Sequence, residues 1–417
     1  MMRETKNLEY KESISSSFLK TVSAYANYGT GTILFGIADD GTVKGIAEPE
    51  KACLDIENRI NDNIDPVPEY TLSINKRNSV ITLEVMEGLH KPYLYKAKAY
   101  RRSDSATVPA DRLELSRLIL EGQNLTFEEM PASSQDLAFE LLETKLTSAL
   151  HMDHFSLDTL KTLELYSDAN GFNKAAELLA DKNGLCGIDI IRFGETINII
   201  RDREVYEHQS ILKQYELSLE MYRKYYQYQH IKGALRECVS MIPEEAFREA
   251  IANALVHRTW DIQTDINVAM FADRIEITSP GGLPEGISEE EYLPGGISIL
   301  RNRIIAGIFL RLQMIERFGT GIRRIRESYK DSDVKPRFNI SENTIQITLP
   351  VMQKSSGLTR DEKVIYSLIK NEALSSSMLA EESGFGKSKA TILAKKLSEK
   401  GYVRVIGNGR GTRYTAE

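Results

Sequence analysis

A mostly apolar stretch, Arg248 to Arg258, carries a polar stripe that constrains how this part of the chain can fold. Its sequence, REAIANALVHR, has the composition of a helix, and Glu249, Asn253 and His257 fall at positions i, i+4 and i+8. That spacing places the three side chains on one face of a helix. The stripe is therefore predicted either to be solvated or to face a site.

The residues after this helix predict a strand hairpin and two glycine loops. Apolar residues alternate with others over 266–270 and again over 275–277, on either side of an Ala-Asp turn, as in half-buried strands. The first glycine loop is SPGGLP at 279–284, and the second is GTG at 319–321, where another helix is predicted to begin. Residues 241–352 are thus predicted to form an α/β unit.

The chain as a whole is predicted to be a multidomain α/β (α+β) protein. Residues 1–125 contain a helix ending at Gly29, the buried strand TILFGI, a turn with the returning strand TVKGI, and a second hairpin, YTLSI to VITLEV. This pattern predicts an α+β domain. Residues 126–240 are predicted to be a mixed, partly helical connecting region.

Composition excludes several classes of protein. The chain has 417 residues, of which 41% are hydrophobic and 27% are charged, and it contains no apolar run of about 18 residues. No membrane span is therefore expected. The first residues are polar and unlike a secretory signal, and the three cysteines show no zinc or disulfide spacing. A cytoplasmic location is the simplest expectation.

The C-terminal segment, 357–417, has a charge bias that the rest of the chain lacks. Residues 386–417 contain eight basic and two acidic residues, a net charge of +6, although the whole chain carries −7. Three predicted helices and a glycine-tipped hairpin predict a winged helix-turn-helix, whose third helix enters the major groove of DNA. The candidate DNA-binding residues are Lys387, Ser388, Lys389, Thr391, Lys395, Arg410 and Arg413. A winged helix used for protein contacts is the alternative.

The layout of residues 241–352 resembles the ATP-binding domain of the GHKL class, an α/β sandwich. Glu249 and Asn253 match the Glu and Asn of that family's helix motif, and the two glycine loops match its glycine boxes. The resemblance implies ATP and Mg²⁺ as cofactors, with Asn253 as the magnesium ligand. The nucleotide-binding candidates are Glu249, Asn253, Gly281, Gly282, Gly319 and Gly321. Ser279 stands where the family has an Asp that accepts the adenine amino group.

The N-terminal residues resemble the AlbA-like domain of Schlafen proteins and bacterial regulators. The resemblance rests on Glu4 and Glu9 in ETKNLEYKES, on the later Ala-Asn pair, and on GIADDG. In Schlafen nucleases two Glu and one Asp hold a metal ion that activates water against a phosphodiester. The resemblance implies Glu4, Glu9 and Asp39 as the catalytic candidates here.

The same bacterial family joins these two domains to a winged helix, so the resemblance covers nearly the whole chain. It implies a DNA-binding transcriptional regulator, modulated by a nucleotide, with DNA as partner and RNA as a further candidate. No membrane partner is expected, and a homodimer is expected because operator half-sites usually require two copies. A Schlafen-type metal-dependent nuclease and a GHKL-type ATPase are the alternatives. The sequence leaves open whether the chain is an enzyme.

Overall fold

The computed structural model describes residues 4–232, 235–284, 287–296, 299–316, 319–352, 358–370, 372–407 and 409–416. The described residues form an N-terminal, a middle and a C-terminal module. Within them, no helix combines the length and the apolar character that crossing a membrane requires.

The N-terminal module (residues 4–122) is built on a four-stranded sheet. Its elements are β1 (Leu8–Lys11), α1 (Phe18–Tyr28), β2 (Gly31–Phe35), α2 (Pro49–Asn63), β3 (Ile64–Asp65), β4 (Tyr70–Asn75), β5 (Val80–Val85), β6 (Leu94–Tyr95), β7 (Tyr100–Ser103), β8 (Ala106–Pro109) and α3 (Arg112–Gly122). The sheet has the order β1-β2-β5-β4, with β1 parallel to β2 and the other neighbours antiparallel. The pairs β3-β6 and β7-β8 are separate ribbons.

Helix α1 is buried against this sheet because its apolar side chains face the strands. The Phe18 and Phe35 rings meet edge to face, with centroids 5.2 Å apart. The buried Asn27 ties the helix to a distant segment: its amide donates to the Tyr93 carbonyl at 2.8 Å, and its carbonyl accepts the Tyr93 N–H at 2.8 Å. The predicted returning strand TVKGI is wrong, since only one bridge, from Val43 to Ile37, forms there.

The middle module (residues 126–352) begins with a short 3₁₀ helix, Phe127–Glu129. Its next elements are α4 (Glu140–Leu150), α5 (Leu157–Thr162), β9 (Tyr166–Ser167), β10 (Gly171–Phe172), α6 (Lys174–Leu179), β11 (Ile188–Phe193), β12 (Ile200–Tyr206), α7 (Ile211–Tyr226), β13 (Gln227–Lys232) and β14 (Leu235–Ser240). The strands β9-β10 and β13-β14 pair as separate hairpins.

The second part of the middle module supplies the remaining strands and helices. Its elements are α8 (Glu244–His257), β15 (Ile266–Met270), β16 (Arg274–Pro280), α9 (Glu289–Tyr292), α10 (Arg303–Arg311), α11 (Gly321–Ser328), β17 (Arg337–Ile340) and β18 (Thr344–Pro350). One six-stranded sheet runs β12-β11-β15-β16-β18-β17, in which only β11 and β15 are parallel. The predicted helix at 248–258 and hairpin at 266–280 are both confirmed.

The structure corrects the predicted boundary between residues 126–240 and residues 241–352. Strands β11 and β12 come from the first segment but extend the sheet of the second. One hydrophobic core runs from Phe139 to Leu349 and includes side chains of both segments. The predicted connecting region therefore belongs to the middle module, because its strands bury their apolar faces only by joining that sheet.

Helix α8 is the centre of the middle module. It packs against the sheet strands β16 and β18 and against helices α7, α10 and α11. The helix ends at His257, and the next residue, Arg258, is only 1% exposed. The Arg258 guanidinium donates to the carbonyl oxygens of Ile262 and Thr264, at 3.1 and 2.6 Å, and to that of Gly187 at 3.5 Å. These bonds join the end of α8 to the residues that precede β11 and β15.

The C-terminal module (residues 358–416) has a core of its own. Its elements are α12 (Arg360–Ile369), β19 (Leu374–Ser375), α13 (Ser376–Ser383), α14 (Lys387–Glu399), β20 (Val403–Ile406), a 3₁₀ turn at Gly409–Gly411, and β21 (Arg413–Ala416). The sheet order is β19-β21-β20. Ile365, Leu379 and Leu397, one from each helix, are fully buried. The predicted order of three helices and a hairpin is confirmed.

A buried carboxylate joins the start of the middle module to helix α10. Glu128 is 1% exposed, and its two oxygens accept the N–H groups of Ile304 and Ile305 at 2.7 and 3.1 Å. The positive end of the helix favours a carboxylate here. Burial nevertheless raises the pKa of Glu128 to about 7, with Glu129 adding to the rise and the two N–H bonds and Arg303 opposing it.

The raised pKa of Glu128 predicts a stability that falls as the pH rises. The folded chain holds the Glu128 proton more tightly than the unfolded chain, so this contribution is full below the ordinary pKa of 4.5 and is lost as the pH passes about 7. Between pH 5 and 8 we expect the free energy of unfolding of the wild type to fall relative to that of Glu128→Gln, by at most about 3 kcal/mol. Denaturant melts at several pH values measure this difference. The exposed Glu143→Gln is the control, and a Glu128→Gln difference that does not change with pH would contradict the prediction.

Candidate functional site

Two of the three stripe residues of helix α8 form a hydrogen-bonded pair, in which Glu249 is buried and Asn253 is half-buried. The Asn253 amide donates to the Glu249 carboxylate, with 3.2 Å between Nδ2 and Oε1. Glu249 is 7% exposed, and burial raises its pKa, while Arg324 and the Asn253 hydrogen bond oppose the rise. Glu249 and Asn253 therefore lie inside the module, as expected of a stripe that is not solvated.

The second glycine loop lies directly over this pair. Helix α11 begins at Gly321, and a methyl group added there would lie 2.3 Å from Glu249 Oε1 and 2.7 Å from Asn253 Nδ2. Gly319 is held by its carbonyl, which accepts the Gly296 N–H at 3.0 Å, and it has a φ of 60°. A side chain at position 321 would therefore displace the ends of these two α8 side chains.

His257, the third residue of the stripe, does not join the Glu249–Asn253 hydrogen bond. It is half-buried and lines a small cavity together with Asn253, Gly319 and Gly321. Burial and the nearby Arg301 guanidinium lower the pKa of His257 to about 4. Its imidazole is therefore neutral at physiological pH. The cavity has a volume of about 50 Å³.

The first glycine loop is packed from both sides. A methyl group on Gly281 would lie 1.9 Å from the Thr259 hydroxyl oxygen, and one on Gly282 would lie 2.3 Å from the Glu342 carbonyl oxygen. The buried Ser279 donates its hydroxyl to the carbonyl of Ala254 at 3.2 Å. Packing within the module therefore accounts for these glycines, and the Ser279 hydroxyl proton is used by helix α8.

The N-terminal carboxylates form a network with cations. Glu9 is 4% exposed, and its Oε2 accepts hydrogen bonds from Arg102 and, at 2.7 Å, from the Thr21 hydroxyl. The Lys11 ammonium lies 2.5 Å from the other oxygen, Oε1. Both oxygens of Glu9 are thus neutralised. Glu4 accepts the backbone N–H of Tyr10 at 2.8 Å.

Asp39 lies apart from this network, on the exposed turn after β2. Over the described ranges, no three His, Cys, Asp or Glu side chains converge closely enough to hold a metal ion. The structure therefore does not assemble Glu4, Glu9 and Asp39 into a carboxylate cluster.

The candidate DNA-binding residues of the C-terminal module lie on one exposed helix and its neighbouring strand. Lys387, Ser388, Lys389 and Lys395 are exposed on α14, and Arg413 is exposed at the start of β21. The Arg410 side chain lies outside the described part of the chain.

Lys389, Thr391 and Arg413 have partners within the module. The Lys389 ammonium pairs with Asp361 at 2.7 Å, and the Thr391 hydroxyl donates to the carbonyl of Lys387 at 2.8 Å. The Arg413 guanidinium donates to the Ala373 carbonyl at 3.4 Å. The other candidates on α14, which are Lys387, Ser388 and Lys395, are therefore more available to bind a ligand than these three residues.

Sequence reasoning missed the residues that join the modules. Arg117 on α3 and Asp261 after α8 form an ion pair across 144 positions of sequence. Arg258, Trp260 and Arg301 cluster beside that pair. A pair of opposite charges so far apart leaves no periodic signal in the sequence, since any two charged residues look alike before the chain folds.

Comparison with family models identifies two domains. Residues 4–111 match the model "Schlafen, AlbA_2", and residues 263–349 match the model "Putative ATP-dependent DNA helicase recG C-terminal". A Schlafen/AlbA_2 domain and an ATPase-like domain of the RecG C-terminal type are therefore present, which confirms the two domain types that the motifs predicted. A comparison with curated proteins finds no match.

Two solved structures are distantly similar to this chain. The DIP2311 protein from Corynebacterium diphtheriae is 15% identical, with a TM-score of 0.49, over 99% of this chain and 95% of that one. The N-terminal domain of a "Putative ATP-dependent DNA Helicase RecG-related Protein" from Nitrosomonas europaea is 22% identical, with a TM-score of 0.18, over 25% of this chain and 80% of that one. Neither likeness is close enough to extend a function to this chain.

The described residues around the stripe enclose less space than a nucleotide occupies. Ligand pockets usually enclose about 300–1,000 Å³, whereas the cavity beside Asn253 and His257 has only about 50 Å³. A larger groove of about 800 Å³ opens beside Glu249, but its charged lining is four glutamates and only two arginines, so it has no excess of positive charge to hold phosphates. Ser279 lacks the negative charge with which the family's Asp accepts the adenine amino group. We therefore assign no chemical step to ATP or Mg²⁺.

A methyl group on Gly282 is expected to destabilise the middle module. It would press on the carbonyl oxygens of Glu342 and Ser341, at 2.3 and 2.8 Å, and backbone atoms yield less easily than side chains. Overpacking of this kind costs about 1–3 kcal/mol. Denaturant unfolding of Gly282→Ala measures the loss, with Gly184→Ala, which has nothing within 4 Å, as the control. Equal stability of the two variants would show that packing does not explain the glycine.

Calorimetry with ATP and Mg²⁺ is expected to give no binding heat, because the cavity at the stripe is too small for the nucleotide. The Asn253→Ala variant should behave as the wild type does. A saturable heat in the wild type that Asn253→Ala abolishes would contradict this prediction and would place a nucleotide on the stripe.

Proposed function

We propose that the chain is a DNA-binding transcriptional regulator that holds DNA through its C-terminal module, acting as a winged helix. The observation that carries the proposal is a set of three exposed lysines on α14. Lys387, Lys395 and Lys396 are exposed and form no ion pair within the described residues. Such cations favour contact with phosphates, which supplies much of the affinity for DNA.

The topology of the C-terminal module supports its interpretation as a winged helix. Three helices precede a strand pair, and α14 follows α13 after a short turn at Gly384, which adopts the left-handed conformation with φ of 69°. In helix-turn-helix proteins the second of two such helices lies in the major groove, with its early residues at the base edges. Ser388 and Lys389 hold those positions here. The strands β20 and β21 form the wing.

Base contact by Lys389 requires the Lys389 side chain to leave its present partner. Its ammonium pairs with Asp361 and lies 4.3 Å from the centre of the Phe385 ring. Exposed ion pairs are worth only about 0–1 kcal/mol, so DNA can displace Asp361 at small cost. The Asp361 carboxylate, once released from Lys389, then repels DNA phosphates that come close to it.

The other two modules complete the proposal. The Schlafen/AlbA_2 domain carries nucleic-acid or partner contacts, and the ATPase-like domain serves as a scaffold. A homodimer and a cytoplasmic location belong to the proposal, since paired operator half-sites call for two copies of the winged helix.

The Schlafen-type nuclease has less support than DNA binding. A hydrolytic metal site needs carboxylate oxygens that are free to bind the ion. Glu9 instead has both oxygens occupied by Arg102, Lys11 and Thr21. Cleavage of labelled DNA or RNA in the presence of Mg²⁺ or Mn²⁺, abolished in Glu9→Gln, would favour the nuclease.

Neutralising the free cations of α14 is expected to weaken DNA binding and its dependence on salt. The Lys387→Gln, Lys395→Gln, Lys396→Gln triple variant removes three candidate partners of DNA phosphates. The slope of log affinity against log salt should fall by up to about 0.9 for each phosphate that is no longer neutralised. Fluorescence anisotropy with a labelled duplex of random sequence, titrated at several salt concentrations, measures the slope.

A second triple variant controls for net charge. Lys182→Gln, Lys213→Gln, Lys330→Gln removes three lysines of the middle module, which has no nucleic-acid role in the proposal. If the proposal holds, this variant binds DNA nearly as the wild type does. An equal weakening of binding in the two triple variants would show that bulk charge, and not α14, attracts the DNA.

A further inference from the structure

A cleft separates the N-terminal module from the middle module. Helix α3 and the residues after it form one wall, and the residues after α8, with the first glycine loop, form the other. The residues that carry the argument are Arg117, Leu120, Phe127, Trp260, Leu283 and Arg301. The cleft has a volume of about 450 Å³. That volume lies within the usual range of small-molecule sites, which often occur between domains.

One ion pair spans the cleft. The Arg117 guanidinium donates to Asp261 in a two-bond arrangement, with Nε 2.7 Å from Oδ2 and Nη2 3.0 Å from Oδ1. The arrangement leaves the Nη1 atom of Arg117 without a hydrogen-bond acceptor among the described residues. A further acceptor can therefore bind Arg117 while Asp261 stays in place.

Arg301 adds a second guanidinium group to the cleft. Its guanidinium donates to the carbonyl oxygens of His257 and Gly282 at 2.9 and 3.0 Å, and it forms no ion pair over the ranges described. Burial and the charge of Arg117 lower the pKa of Arg301, whereas Asp261 opposes the change. Arg117 and Arg301 thus share Asp261; of the two glutamates that also line the cleft, Glu121 is paired with Lys91 at 3.0 Å and Glu342 is exposed.

The walls of the cleft are largely apolar. Leu120, Leu125 and Phe127 belong to the wall that begins with α3, and Leu283 and Pro284 face them from the first glycine loop. A ligand with a flat apolar body fits between such walls, and its burial there is favourable at about 25 cal/mol per Å². The cleft therefore combines apolar walls with two neighbouring guanidinium groups, of which Arg117 keeps one nitrogen atom available to a further acceptor.

We propose that this cleft binds a small organic anion, with its phosphate or carboxylate beside Arg117 and Arg301 and its flat apolar body between the two apolar walls. The site is separate from the stripe of α8 and from the DNA-binding surface. Because the cleft lies between two modules, a bound anion fixes their relative position. Nothing in the proposal depends on the DNA-binding function.

Trp260 supplies a direct signal for binding. It is the only tryptophan in the chain, it lines the cleft, and it is 3% exposed. Its ring lies against the Arg258 guanidinium, 4.2 Å from ring centre to Cζ, and its indole N–H has no hydrogen-bond partner in the described structure. A change of charge or packing in the cleft therefore alters the fluorescence of one known residue.

The experiment is a fluorescence titration of the full-length protein with phenyl phosphate, benzoate and inorganic phosphate. We expect saturable changes with phenyl phosphate or benzoate, and weaker binding of inorganic phosphate, which has no apolar body. Arg117→Gln should weaken binding about tenfold or more, because it removes a charge-assisted hydrogen bond. Arg101→Gln is the matched control, since Arg101 has a similar exposure and pairs with Glu114 away from the cleft.

Asp261→Asn separates ligand binding from domain docking. It breaks the same ion pair as Arg117→Gln, but it removes a negative charge beside the anion, so we expect tighter binding. If the Arg117–Asp261 pair only docks the two modules, Arg117→Gln and Asp261→Asn should change the affinity for the anion in the same direction. That result would overturn the proposal. So would the absence of a saturable change with all three probes, or inorganic phosphate binding as tightly as phenyl phosphate.

Discussion

The buried guanidinium of Arg258 is the interaction on which the middle module depends. A charge without an opposite partner is costly to bury, so it persists only where hydrogen bonds replace water. Three carbonyl oxygens, those of Gly187, Ile262 and Thr264, do so here. Burial lowers the pKa of Arg258 only to about 10, and the group keeps its charge at neutral pH. One side chain thereby joins helix α8 to the starts of both parallel strands of the sheet.

This arrangement explains why residues 126–240 cannot be separated from residues 241–352. Strands β11 and β15 lie side by side, and Arg258 binds the backbone just before each of them. The same helix end carries Trp260 and Asp261 toward the N-terminal module. The centre of the middle module and the cleft between modules are therefore built from consecutive residues.

The N-terminal and C-terminal modules differ in where their charged side chains lie and in whether these side chains are paired. In the Schlafen/AlbA_2 domain, Glu9 and Arg102 neutralise each other in the interior, with side chains about 5% and 4% exposed. On α14, Lys387, Lys395 and Lys396 remain exposed without ion-pair partners in the described residues. A buried, paired charge contributes to one conformation, whereas a row of free surface charges attracts a polyanion over distance. The second arrangement is why the proposed nucleic-acid contact is placed at the C-terminal end.

The sequence by itself determined the local elements and the order of the modules. The periodicity of apolar residues and the positions of the glycines predicted α8, the β15–β16 hairpin, the start of α11 and the three C-terminal helices. Each of these elements depends on residues that are close in sequence. Tertiary structure decided the rest. The pairing of β11 with β15, the neutralisation of Glu9 by Arg102, and the Arg117–Asp261 pair join residues that lie from about 78 to 144 positions apart. Such contacts depend on how whole modules pack, and no short stretch of sequence encodes that.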